Sequence, residues 1–236
     1  MNYDTPYRIF PLGDTAITID FGNYINENIN QKVMTGFHHL QKDPLPGTIE
    51  VVPAYSSLTL YYDISSLRKH VPKEQSVYEW TKQRLEERLA RITTLDPASE
   101  RRVRIPVCYQ GEFAPDIEEL ATTHQISVDE VINIHLSRPY RVYMLGFLPG
   151  FAYLGEVDER ITMHRKAQPG MVTAGSVGIA GRQTGIYPLT SPGGWQIIGR
   201  TPLHLFDSNK KEEPTLLKAG DIVEFYSIST HEFANY

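Results

Sequence analysis

Residues 183–200 hold the densest set of groups able to do chemistry. Ser191-Pro-Gly-Gly-Trp195 places two adjacent glycines before an aromatic ring. Successive N–H groups of such a pair can form an anion-binding nest, and Trp195 offers a stacking wall. Arg200 follows in the same stretch and is placed to clamp a carboxylate or phosphate bidentately. Gln183, Thr184 and Tyr187 supply neutral donors and acceptors just upstream. An apolar pocket with a few fixed polar groups is what a small-molecule site needs. The competing reading is a tight turn with an aromatic packed on it.

Gly175-Ser-Val-Gly-Ile-Ala-Gly181 is a second glycine cluster. Glycines permit positive φ and close approach of backbone to a ligand. The cluster lacks the Lys-Ser/Thr ending of a phosphate-binding P-loop, and Ser176 is not in a G-x-S-x-G elbow. A barrel strand with a bulge accounts for it equally. His135 sits at helical spacing from Val131 and Ile132. It is either a hydrogen-bonded core residue or, facing the pocket, a general base near neutral pH. The substrate-binding set expected is Gly175, Ser176, Gln183, Tyr187, Ser191, Gly193, Gly194 and Trp195, with His135 and Arg200 as catalytic candidates. His38-His39 and His164 show no metal-ligand spacing, so no metal site is expected. Cys108, the single cysteine, lies in an apolar strand and reads as inert. Arg165-Lys166 reads as a solvated loop or as the mouth of an anionic site.

These residues need elements to position them. Ile17, Ile19 and Phe21 alternate with polar residues and predict a strand. Ile29, Val33, Phe37 and Leu40 recur at helical spacing, with Asn26 as N-cap. Thr48 to Asp63 reads as strand, turn and strand. Val77, Trp80, Leu85, Leu89 and Ile92 mark a second helix. The order ββαββα suits an antiparallel sheet with helices on one face, an α+β domain. Thr93 to Arg101 is polar, contains Pro97, and marks a boundary between domains at 1–95 and 96–236. Beyond it, Val103, Ile105 and Val107 alternate as a strand, and a short helix is expected over Asp116 to Thr123. Ser127-Val-Asp-Glu130 is a capping-box signature opening a helix to about Leu136. Tyr140 to Leu145 reads as a strand. Of the 17 glycines, 11 fall between Gly146 and Pro202, which disfavours long helices there. Closely spaced turns joining short strands imply a mainly-β barrel or sandwich. Lys218-Ala-Gly-Asp221 reads as a turn into a strand at Ile222.

The 236 residues, 41% hydrophobic and 22% charged, match an ordinary globular protein. A net charge of −5 argues against nucleic acid as a partner. Arg101, Arg102 and Arg104 are too few for a binding stripe. Val142 to Gly155 is broken by Pro149 and glycines, and falls short of the roughly 18–20 residues a membrane span needs. No signal peptide is visible at the N-terminus, and the expected compartment is the cytoplasm.

Read together, five motifs carry a resemblance. They are Val142-Tyr-Met-Leu-Gly-Phe-Leu-Pro-Gly-Phe151, Ala174-Gly-Ser-Val-Gly-Ile-Ala-Gly181, Gln183-Thr-Gly-Ile-Tyr-Pro188, Ser191-Pro-Gly-Gly-Trp195 and Ile198-Gly-Arg-Thr-Pro202. With Val51-Val-Pro-Ala-Tyr-Ser-Ser-Leu58, they resemble the family of B components of bacterial ATP-dependent 5-oxoprolinases. That family includes a Kip-type inhibitor of a sporulation histidine kinase and was once described as the first component of allophanate hydrolase. It is similar to part of the carboxyltransferase region of urea carboxylase. The resemblance implies an α+β N-terminal domain and a cyclophilin-like β-barrel. It also implies two partners, an A component and a C component that is a paralogue of this chain. The reaction implied is opening of 5-oxoproline to glutamate with ATP and, at the level of the complex, Mg. The chain itself holds no recognisable nucleotide motif. A regulatory inhibitor of a histidine kinase and a carboxyltransferase for urea-like substrates are the alternatives. Two departures stand out. Pro169-Gly-Met-Val-Thr-Ala174 is one residue shorter than the family stretch and lacks its arginine, and Ala152 replaces a usual proline. If that arginine binds an anion, Arg165 or Lys166 must substitute.

Overall fold

Apolar alternation in the first hundred residues builds a four-stranded antiparallel sheet. In the computed structural model, residues 7–92 and 101–236 are described. They group into two compact units, one within 1–99 and one within 100–236. The first holds β1 (Arg8–Pro11), β2 (Ala16–Asp20), α1 (Glu27–Lys42), β3 (Thr48–Pro53), β4 (Ser57–Tyr62), α2 (Ile64–Arg68) and α3 (Val77–Ala90). Sheet order is β1-β2-β4-β3. Ile17 and Ile19 stand opposite Leu60 and Leu58, so all four share a face. That face packs on Val33 and Leu40 of α1 and on Leu85 and Leu89 of α3. On the other face Thr18 and Thr59 hydroxyls bond each other at 2.9 Å. Asn26 caps α1 by accepting the Ile29 N–H at 3.2 Å. The short α2, capped by Asp63, is an addition to the expected ββαββα order. The boundary expected at 93–101 lies, except for Arg101, outside the described residues.

The second unit holds β5 (Arg102–Val107), α4 (Ile117–His124), α5 (Val128–Leu136), β6 (Tyr140–Leu145), β7 (Ala152–Gly155), β8 (Gly170–Val172), β9 (Ser176–Ala180), β10 (Gln183–Ile186), β11 (Ser191–Gly193), β12 (Gln196–Arg200), β13 (Ile222–Ser227) and α6 (Thr230–Ala234). Seven strands form one mixed sheet in the order β12-β9-β10-β7-β6-β13-β5, and β8 and β11 make a separate ribbon. β13 runs parallel to β5, and the other named pairings in that sheet are antiparallel. The Ser127 hydroxyl accepts the Glu130 N–H at 3.1 Å and starts α5.

The sheet curls into a nearly closed barrel because its two edges meet. Cys108, just past β5, donates its N–H to the Arg200 carbonyl at 2.8 Å and accepts the Arg200 N–H at 3.0 Å. Val107, Val142, Leu154, Val177, Ile186 and Val223 fill the interior, with Leu120 of α4 and Val131 of α5 packed in the same core. Among the described residues, no helix is long and apolar enough to cross a membrane.

Edge closure requires a glycine. A Cβ on Gly199 would lie 2.5 Å from Val107 Cγ1 and 3.1 Å from the Cys108 carbonyl oxygen. Gly199→Ala is expected to destabilise the fold by about 1–3 kcal/mol through overpacking. Gly170→Ala, where a Cβ meets nothing within 4 Å, is expected to stay within about 0.5 kcal/mol of the parent. Urea unfolding of both variants measures the contrast.

Candidate functional site

Arg200 and Ser176 face each other across the β12–β9 ladder, so both side chains leave the same face of the sheet. Both line a cleft of about 110 Å³. Gly193 of the β8–β11 ribbon lines it too, as do Lys166 and the turn residues Glu112 and Phe113.

The backbone around Arg200 is heavily constrained. Gly175 holds φ at +84° and donates its N–H to the Tyr187 carbonyl at 2.7 Å. Its own carbonyl accepts the Thr201 N–H at 2.9 Å, and a Cβ on Gly175 would collide with the Thr201 carbonyl oxygen. Glycine is thus required beside the site. Arg200 Nε donates to the Ala174 carbonyl at 3.0 Å. The guanidinium carbon lies 5.9 Å from the ring centroids of both Phe113 and Phe233. Among the described residues, no carboxylate and no further hydrogen-bond partner engages its two terminal amino groups. They are available to an anion.

The second cation is already neutralised. Lys166 Nζ lies 2.7 Å from Asp116 Oδ2. That oxygen also accepts the Ile197 N–H at 2.6 Å, while the Asp116 N–H donates to the Ile197 carbonyl at 3.0 Å. Asp116 is buried and ties the turn before α4 to β12. Arg165 is exposed and stands 6.0 Å over the Trp195 ring. Of the two basic residues weighed as substitutes for the missing arginine, Lys166 is the one at the cleft.

Several expected site residues serve the fold instead. Gly193 and Gly194 are not a nest. Neither is among the glycines with positive φ, and a nest needs alternating backbone handedness. Gly193 is small because the Tyr187 ring and hydroxyl occupy the place of its Cβ. Gly194 accepts the Lys166 N–H at 2.7 Å. Trp195 is not a wall of the cleft but a buried member of a cluster with Phe151, Val172 and Tyr187. The Trp195 N–H donates to the Tyr187 hydroxyl oxygen, and burial outweighs that bond and pushes the phenol pKa up. Ser191 is buried in β11, its Oγ without a hydrogen-bond partner among the described residues. Gln183 is half-buried in β10 between Gly155 and Ala180 and lies outside the cleft lining. Asp116, the anchor of Lys166, carried no sequence signal beyond its place at a helix start.

His135 is corrected from general base to core residue. It is fully buried, stacked 4.8 Å from Phe225 and 5.2 Å from Tyr140. The Thr184 hydroxyl donates to the Gly178 carbonyl at 3.1 Å, so it must accept from His135 Nε2–H at 3.1 Å. His135 Nδ1 then accepts the Tyr109 hydroxyl at 2.9 Å. Both ring nitrogens are used and the imidazole is neutral. Burial lowers its pKa from the usual 6.5 to about 3. Between those values the unfolded chain binds the extra proton, so stability falls as pH drops from 6.5 towards 3. Above pH 6.5 this contribution is constant. His135→Gln should flatten the acid limb of a stability–pH curve by up to about 1.4 kcal/mol per pH unit. Urea unfolding at several pH values reads the slope, and parallel curves for the two proteins would overturn the assignment.

Among the described residues, no cluster of His, Cys, Asp and Glu is placed to hold a metal ion. The cleft, at about 110 Å³, is below the roughly 300–1,000 Å³ of sites for drug-sized ligands.

Comparison with known proteins bears on the whole chain. Residues 7–217 match the family described as carboxyltransferase domain, subdomain C and D. The B component of 5-oxoprolinase from Bacillus subtilis (strain 168) is 50% identical over 232 residues, covering 98% of this chain and 96% of that protein. The corresponding B component of 5-oxoprolinase from Haemophilus influenzae is 43% identical over 219 residues, covering 92% of this chain and 96% of its own. The crystal structure of TTHA0988 is similar at a TM-score of 0.76 and 35% identity. That likeness covers 91% of this chain but only 40% of the longer solved one. With the family match spanning most of its length and two relatives aligned nearly end to end, this chain belongs to the carboxyltransferase subdomain C and D family.

Proposed function

We propose that this chain is the B component of an ATP-dependent 5-oxoprolinase, working with the A and C components to open 5-oxoproline to glutamate. The observation that carries the site assignment is Arg200, a cation at the cleft with two unengaged amino groups. A planar guanidinium matches a carboxylate bidentately. One unpaired cation in a small cleft suits a small acid with a single carboxylate. The Ser176 hydroxyl, across the ladder from Arg200, is then placed to hydrogen-bond the ring.

The lactam of such a substrate is a stable amide. ATP, used by the assembled complex, would supply phosphorylation of the amide oxygen and make its carbon electrophilic. Arg200 holds the acid in place through its two unengaged amino groups. Glu112, Met171 and Thr173 line the cleft and are exposed. Water therefore reaches the cleft in the isolated chain. In the proposed reaction one water adds to the activated ring carbon, the C–N bond breaks to give an acyl phosphate, and a second water releases phosphate and glutamate. An open cleft admits bulk water that instead cleaves the activated intermediate at phosphorus and returns 5-oxoproline, which is the physical reason to expect little activity without the partner components.

The test is glutamate release from 5-oxoproline with ATP, using this chain with its A and C partners and mixtures lacking one component. Activity is expected only in the complete mixture. Arg200→Ala should lower kcat/KM by about 30-fold or more, mainly through KM, in keeping with ~2–5 kcal/mol for a truncated charge pair. Near-parent kinetics would overturn the role of Arg200. An inert but fully associated mixture, with tight ATP-independent binding to a histidine kinase, would replace the enzyme reading by the regulatory one.

A further inference from the structure

The C-terminal helix α6 is hard to explain as a core element. It spans five residues, Thr230–Ala234, and buries none of them. Helices this short are not stable alone. It is held by a capping box, in which the Ser229 N–H donates to Glu232 Oε2 at 2.7 Å and the Glu232 N–H to Ser229 Oγ at 3.2 Å. Past its end, the Tyr236 and Tyr226 hydroxyls bond at 2.8 Å. Its one large apolar side chain, Phe233, lies on Phe113 with ring centroids 4.3 Å apart. Both rings stand 5.9 Å from the Arg200 guanidinium carbon.

We propose that Phe233 is a positioning residue for Arg200, holding the guanidinium, together with Phe113 and the Ala174 carbonyl, in the orientation that receives the substrate carboxylate. This rests on the reading of Arg200 as the anion-binding group. Phe113 lines the cleft and Phe233 does not, so Phe233 acts through its neighbours. An arginine side chain has several rotatable bonds, and freezing them on binding weakens affinity. Here one end is set by the backbone bonds to Cys108, the middle by the Nε bond to Ala174, and the head is packed by the paired rings of Phe113 and Phe233. Guanidinium groups within about 6 Å of a ring centroid are attracted to it. The terminal amino groups are left for the ligand. α6 thereby completes a site built otherwise from the barrel seam.

The reconstituted complex tests this, with kcat and KM for 5-oxoproline measured for Phe233→Ala, Phe233→Tyr, Arg200→Ala and the double variant. Thermal unfolding and partner association are measured alongside. Phe233→Ala is expected to raise KM ~5-fold, or about 1 kcal/mol, with kcat within about 2-fold of the parent. Phe233→Tyr should restore KM. In the Arg200→Ala background Phe233→Ala should add nothing, because the two act as one unit. Three outcomes overturn the proposal. If Arg200→Ala raises KM and Phe233→Ala does not, it fails alone. If Phe233→Ala raises KM by the same factor in both backgrounds, the helix merely stabilises the chain end. If Arg200→Ala itself leaves KM unchanged, the site reading fails and the proposal with it.

Discussion

Two backbone hydrogen bonds between Cys108 and Arg200 hold together what the second unit depends on. Without them the seven strands are an open sheet with two unpaired edges, a template for unwanted strand pairing. With them the interior from Val107 to Val223 is enclosed. The bonds form only because Gly199 lets β12 approach Val107 and the Cys108 carbonyl. A register shift between Ile197 and Gly199 then bends the strand into the seam. The candidate site is a by-product of this closure. Arg200 is the last residue of β12, and Ser176 opposite it is the first of β9, so the seam ends where the cleft begins.

The buried His135 is kept in this unit because both its ring nitrogens are engaged. The chain from the Tyr109 hydroxyl through His135 and the Thr184 hydroxyl to the Gly178 carbonyl leaves each donor with one acceptor. It ties α5 to β9 and β10 from inside the core, where an unmade bond would be costly. Asp116 does the same at the rim. One of its oxygens takes both the Ile197 N–H and the Lys166 ammonium, fixing the turn that carries Glu112 and Phe113.

What could be read from the sequence was what depends on near neighbours. The Asn26 cap, the alternation of Ile17 and Ile19 and the Ser127 start of α5 are local signals, and each produced its element. Arg200 and Ser176, both named from the sequence as candidates, do line one cleft. The rest depended on distant contacts. Gly193 signals only a missing side chain; that the space belongs to Tyr187, rather than to an anion, is decided by how the segment after β10 packs on β11. His135 fits a helix face in either role, and its partners lie 26 and 49 residues away. Asp116 meets Ile197 across 81 residues, and no spacing rule reaches that far. Phe233 sits in a stretch whose pattern says nothing of an arginine on the far side of the barrel sequence.

On the proposed reading of the site, the pairing of Lys166 with Asp116 would set what the cleft accepts. Were that ammonium bare, the cleft would present two cations close together, and phosphates would compete strongly for it. Engaging Lys166 leaves a single guanidinium, which satisfies one carboxylate, and the carboxylate of Glu112 at the cleft repels further negative charge. On that reading, discrimination would come from a cation withheld as much as from one supplied. Because the seam uses only the backbone of Arg200, the side-chain charge can be altered without removing the two bonds that close the barrel.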